Sequence, residues 1–150
     1  FKNVVLKGSY TGKISADVCN LADGLSGVNG CFKSCGLDGD VSALDGGEAT
    51  FLTPFSNIAG MGRPSINVAS TVGTQLSVRG MRGGLVLKGS DHAASNTSIE
   101  MDSGRLSLEA TNTEGVVSVR GSCDFEDSSA GATVDISGLI FSQVWHGLEL

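Results

Sequence analysis

The chain has 150 residues, 40% of them hydrophobic and 17% charged, with a net charge of −6. That is enough apolar material for one domain with its own core, and it excludes a disordered tail. The ten lysines and arginines form no basic run, and no apolar stretch nears the roughly 20 residues of a membrane span, which argues against nucleic-acid binding and membrane insertion.

Twenty-two glycines stand against two prolines and one tryptophan. Glycine at this level, without the collagen triplet, points to many tight turns between short strands. From the start of the chain, Val4–Leu6, Ile14–Val18, Cys31–Phe32 and Thr50–Leu52 read as strands. Between them, the glycine-rich segments Asp23–Gly30 and Gly36–Gly47 read as turns or widened loops, and no register emerges before residue 65. The opening on Phe1, without a signal-peptide pattern, reads as a segment cut or processed from a longer protein.

The second half alternates clearly. Ile66 with Val68, Leu76 with Val78, Leu85 with Leu87, Ile99 with Met101, Leu106 with Leu108, Val117 with Val119, and Val134 with Ile136 each mark a half-buried strand. The pairs recur. Val78, Ile99, Val119 and Ile140 follow one another at 20 or 21 residues, as do Leu85 and Leu106, and Ile66 to Leu85 is close to that step. The fragment SVRG occurs at Ser77–Gly80 and Ser118–Gly121, and VLKGS at Val5–Ser9 and Val86–Ser90. A period near 20 with two or three strands per period predicts a parallel β-helix. In it, like residues stack inward, Arg79, Lys88, Glu100, Glu109 and Arg120 face out, and glycine closes each strand. The expected organisation is a β-solenoid over residues 1–140, looser over 1–64 and regular over 65–140, with 141–150 as a cap or the start of a following segment. The leucine-rich-repeat pattern is missing.

The end of the chain is apolar and holds the only tryptophan. A terminal coil has no next coil to cover its face. Phe141, Val144, Trp145 and Leu148 are therefore expected to cap the rod or to touch a neighbouring chain. Their spacing is also that of one helix face, which allows a short capping helix, with an ordinary final strand as the alternative.

Several fragments, in this order, carry a resemblance. They are FKNVVLKGSYTGK (Phe1–Lys13), GCFKSCG (Gly30–Gly36), the Ser65–Val68 strand, LSVRG (Leu76–Gly80) and GGLVLKG (Gly83–Gly89). GRLSLEAT (Gly104–Thr111), GVVSVRG (Gly115–Gly121), FEDSSAGATV (Phe125–Val134) and GLI (Gly138–Ile140) complete the series. Together they resemble a β-solenoid segment of structural proteins of tailed bacteriophages and prophages, in tail or fibre components. The resemblance implies a virion protein assembled in the host cytoplasm, a homotrimer in contact with other virion proteins, and contact with host-surface carbohydrate. The spacing of Cys31 and Cys35 and the acidic cluster Asp124–Asp127 are details for which the resemblance gives no counterpart.

No catalytic residue, cofactor or metal site is assigned. Cys19, Cys31, Cys35 and Cys123 permit two disulfides in three connectivities, but assembly in a reducing cytosol predicts free thiols. Cys31 and Cys35 do not have C-x-x-C spacing, and His92 and His146 lack ligand spacing. Carboxylates in pairs are the chemistry a glycan-cleaving enzyme needs. Asp38 with Asp40, Glu100 with Asp102, and Asp124 with Glu126 and Asp127 are the candidates, the second and third expected to share the outer face of one strand. The expected reading of all three is the solvated outer surface of an acidic protein. The expected function is a rigid oligomeric rod in host attachment. The alternatives are a polysaccharide depolymerase or lyase on the same scaffold, and a bacterial surface adhesin.

Overall fold

A computed structural model describes residues 1–58, 62–68, 74–89, 96–109, 116–128, 133–140 and 144–146. The chain winds as a β-solenoid of about six turns of roughly 19 residues. Three sheets run along it, and every strand pairing is parallel. The first sheet is short: β1 (Val5–Leu6), β3 (Asn20–Leu21), β6 (Gly36–Leu37) and β9 (Phe55–Ser56). The second holds β2 (Ile14–Asp17), β5 (Gly30–Lys33), β8 (Glu48–Leu52), β11 (Gln75–Met81), β13 (Asn96–Met101), β15 (Val116–Gly121) and β17 (Thr133–Leu139). The third holds β4 (Ser26–Val28), β7 (Val41–Ala43), β10 (Ser65–Val68), β12 (Leu85–Gly89), β14 (Arg105–Glu109), β16 (Asp124–Ser128) and β18 (Val144–His146).

Alternation dictates the core. In the second sheet Ala16, Phe32, Phe51, Val78, Ile99 and Val119 stand rung on rung and all are buried. The rings of Phe32 and Phe51 stack at 5.0 Å. Leu85, Leu106 and Phe125 form a matching inward ladder in the third sheet, and Leu6, Leu21 and Leu37 one in the first. Each such side chain contributes on the order of 1.5–3 kcal/mol by leaving water.

The corners are tied from coil to coil. Asn3, Val18, Ser34 and Thr53 occupy one corner with left-handed backbone, φ 48–55°. Their N–H groups donate to Asp17, Lys33, Leu52 and Arg79 carbonyls of the following coil. At a second corner Asp23 Oδ1 accepts from Asp40 N–H, and Asp40 Oδ1 accepts from Ser65 N–H. At a third, Asn29 Oδ1 accepts from Glu48 N–H and Thr74 Oγ1 from Gly46 N–H. Short polar side chains thus satisfy turn amides that the corners would otherwise leave unpaired.

Several expectations are corrected. The glycine-rich segments of the first half are not merely loops. They carry β4, β6 and β7, because a short coil must turn three corners and leaves only two or three residues per strand. The two VLKGS copies lie in different sheets: Val5 pairs with Asn20 in the first, whereas Val86 pairs with Ser65 in the third. Ile66 stands on Leu87 rather than Leu85. Ile140 is 57% exposed and outside the ladder, because the last coil is shorter: Val117 stands on Val134, 17 residues on, so the residue 21 beyond Val119 falls past the end of β17. No helix occurs among the described residues. Val144–His146 form β18 on the free edge of β16, which offers hydrogen bonds and register together, so strand wins over the helical spacing.

Candidate functional site

The register of the second sheet assembles a feature that no single stretch of sequence shows. Ser15, Cys31, Thr50, Ser77, Ser98, Ser118 and Asp135 fall opposite one another in one outward column. Each lies between two inward residues, so the strand pleat turns it out. Rungs are spaced about 4.8 Å apart, so six small hydroxyl or thiol groups line one straight track along the rod.

Two hollows lie on this track. One of about 290 Å³ is lined by Glu48, Thr50, Gln75, Ser77, Ser98 and Ser118, among others. The next, of about 410 Å³, is lined by Lys13, Ser15, Gly30, Cys31, Glu48 and Thr50. They share Glu48 and Thr50 and form one shallow trough. Beside it runs a longer-chained column of Asp17, Lys33, Leu52 and Arg79, with Arg120 Nη2 paired to Glu100 Oε2 at 2.9 Å further along. Hydroxyls that both donate and accept, bordered by residues of both signs, suit a neutral polar surface or polymer better than a strongly charged one. Among the described residues, Glu48 is the one carboxylate lining either hollow.

The acidic candidates are dispersed. Asp38 Oδ1 accepts from Asn57 Nδ2 at 2.8 Å, and Asp40 holds Ser65 N–H with Lys88 Nζ 3.9 Å away. Both serve as corner ties. Glu100 pairs with Arg120, while Asp102 lies in the bend beyond the end of β13, so the two do not share a strand face. Asp124 and Glu126 do both face out on β16. Glu126 Oε2 lies 3.7 Å from Arg105 Nε and accepts from Ser107 Oγ. Asp127 takes an inward register position, on Leu108.

All four cysteines are free. Cys19, Cys35 and Cys123 are buried, and Cys31 is half-buried on the hydroxyl track. Burial raises the Cys35 and Cys123 thiols, the latter to about 11 with the Asp124 carboxylate adding to the effect. Among the described residues no three His, Cys, Asp or Glu side chains converge as metal ligands. His92, Phe141 and Leu148 lie outside the described residues. Val144 and Trp145 sit on β18, opposite Phe125 and Glu126. The outward track was missed in the sequence, although Leu-Ser-Val, Thr-Ser-Ile and Val-Ser-Val at 76–78, 97–99 and 117–119 carry its signal.

Comparison with protein-family models, with curated proteins and with solved structures returned no match.

Proposed function

We propose that this chain is a rod module of a fibrous assembly, of the kind built into bacteriophage tails, fibres and spikes, and that it works as an oligomer of parallel rods. The observation that supports this reading is the continuous parallel pairing of the two long sheets, each of seven strands, from one end of the described chain to the other. Nearly every described element is spent on a continuous scaffold, and the side chains that leave it belong to corner ties and outward columns. The track of serines, Cys31 and Thr50 supplies a flat flank where a neighbouring rod can approach closely, because its side chains are short. Contact with other virion proteins and host-surface carbohydrate belongs to the same proposal and rests on the sequence resemblance.

The test is a mass measurement by light scattering over a concentration series, together with electron micrographs of the same sample. Rods associated side by side, dispersed by Ser77→Arg and Ser98→Arg with the fold intact by circular dichroism, support the proposal. A monomer at every concentration, or an oligomer indifferent to both substitutions, overturns it. Release of reducing sugar from a bacterial polysaccharide, lost on Glu48→Gln, would instead favour the glycan-cleaving alternative.

A further inference from the structure

Arg63 occupies a channel built for it. Its side chain leaves the backbone ahead of β10, crosses the next coil over Gly84, and ends on Ser107 one coil further, Nη1 donating to Oγ at 2.5 Å. A Cβ on Gly84 would stand 2.5 Å from Arg63 Cγ, so only glycine lets the stem pass. Ser107 is outward on β14 yet 1% exposed.

The electrostatics of this clasp are incomplete. Arg63 is half-buried, and its hydrogen-bond partner is the Ser107 hydroxyl, which itself donates to Glu126 Oε2 at 3.4 Å, so no carboxylate among the described residues touches the guanidinium directly. Among the described residues, Lys88, Arg105 and Arg120 each have a carboxylate within ion-pair distance, and Arg63 has none. A guanidinium partly withdrawn from water gains most from an oxyanion that can take its forked N–H groups. Space for one exists beside it. A corner hollow of about 410 Å³ is lined by Arg63, Arg105, Ser56, Ile58 and the glycines 62, 83 and 84. The donors of this lining are the two guanidinium groups, from different coils, and the Ser56 hydroxyl; Arg105 also pairs with Glu126, and the Gly83 amide is given to Ser103 Oγ.

We propose that this hollow is an anion site, taking a single oxyanion group such as sulfate or the carboxylate of a sugar acid, with Arg63 as its principal ligand and Arg105 and Ser56 as neighbours. The inference is independent of the rod's function, since this hollow shares no lining residue with the two hollows on the hydroxyl track.

The experiment is a ¹H–¹⁵N titration of the whole chain with sodium sulfate, and separately with sodium galacturonate, against sodium chloride at matched ionic strength. Saturable shifts at Gly83, Gly84 and Ser56 amides and at Arg63 Nε–H are expected, with no such shifts in chloride. Shifts with both probes assign recognition to any oxyanion. Shifts with galacturonate alone assign it to a sugar acid. Arg63→Gln should weaken binding at least about tenfold, and Arg79→Gln, an exposed arginine on the second sheet, should leave it unchanged. Linear, non-saturating shifts, or equal affinity in Arg63→Gln, overturn the site. If Arg63→Gln fails to fold, the wild-type titration decides alone, because saturation confined to this corner is the prediction.

Discussion

Gly80 and Gly121 end the two copies of SVRG, yet only Gly121 stands in register with a residue of the preceding coil, Met101. Gly80 is instead part of the irregularity between Val78 and Met81, where β11 carries one more residue than β13. Both have positive φ, 74° and 94°. A Cβ at Gly121 would overlap the Met101 carbonyl oxygen, whereas at Gly80 the nearest atom is Thr53 Cγ2 at 3.5 Å. Gly80→Ala should therefore cost about 1–2 kcal/mol, the left-handed backbone penalty alone. Gly121→Ala should cost more than about 3 kcal/mol, because backbone must move. Urea midpoints of the two variants check the order. Equal losses would mean that the close approach at Met101 is not there.

Thr97 stands in an inward ladder between Leu76 and Val117 and is 2% exposed. Its Oγ1 is buried without a hydrogen-bond partner. Thr97→Val keeps the shape and removes the unsatisfied hydroxyl, so stability should rise by about 1 kcal/mol. Chemical denaturation measures this directly. A loss of stability would show that the hydroxyl has found a partner.

Val18 sits at φ 53° with its side chain 52% exposed. A β-branched residue pays in this conformation and gains no burial in return. Asn3 occupies the same corner one coil earlier. Val18→Asn should raise stability by about 1 kcal/mol, whereas Val18→Ile should not. The Tm of the two variants separates backbone strain from surface hydrophobicity. Equal rises in both would refute the backbone explanation.

Cys123 brings a pH dependence. Its thiol is raised from 9.0 to about 11 in the folded chain, first by burial and then by Asp124. Above pH 9 the unfolded chain ionises this thiol while the folded chain keeps its proton, so the unfolded state is favoured. The contribution is fully present below pH 9 and fades as the pH rises towards 11, on the order of 2 kcal/mol in all. The difference in urea midpoint between wild type and Cys123→Ala should therefore shrink from pH 8.5 to pH 10.5. A constant difference would place the thiol in contact with water.

The regular half of the solenoid was legible because its coils share one step. Val78, Ile99 and Val119 face the core at intervals of 20 and 21 residues, and alternation around each made the strand and its inward face readable together. The first half hid its register because its steps differ. Ile14 to Gly30 is 16 residues, Gly30 to Ala49 is 19, and Ala49 to Leu76 is 27. No fixed period can align rungs of unequal length. Short strings misled for a related reason. VLKGS leaves the strand after Leu6 in one copy, where Gly8 has φ 85°, but stays in strand through Gly89 in the other, so its sequence specifies neither where the strand ends nor which sheet receives it. The hydroxyl track was obscured by its members: Cys31 and Thr50 share size and outward position with the serines but no letter.

The parallel pairing has a mechanical consequence. In every sheet the backbone hydrogen bonds point along the rod rather than across it. Tension applied to the two ends would load the rungs in series, so the force at which the rod yields is that of its weakest rung and does not rise with the number of coils. Splitting the rod lengthwise, by contrast, must break covalent chain at every turn, and compression drives the rungs together. Once one rung parts, the chain unspools coil by coil while staying in one piece. A rod of this construction is suited to standing off and pushing, and it withstands pulling only where its flanks are held by neighbours.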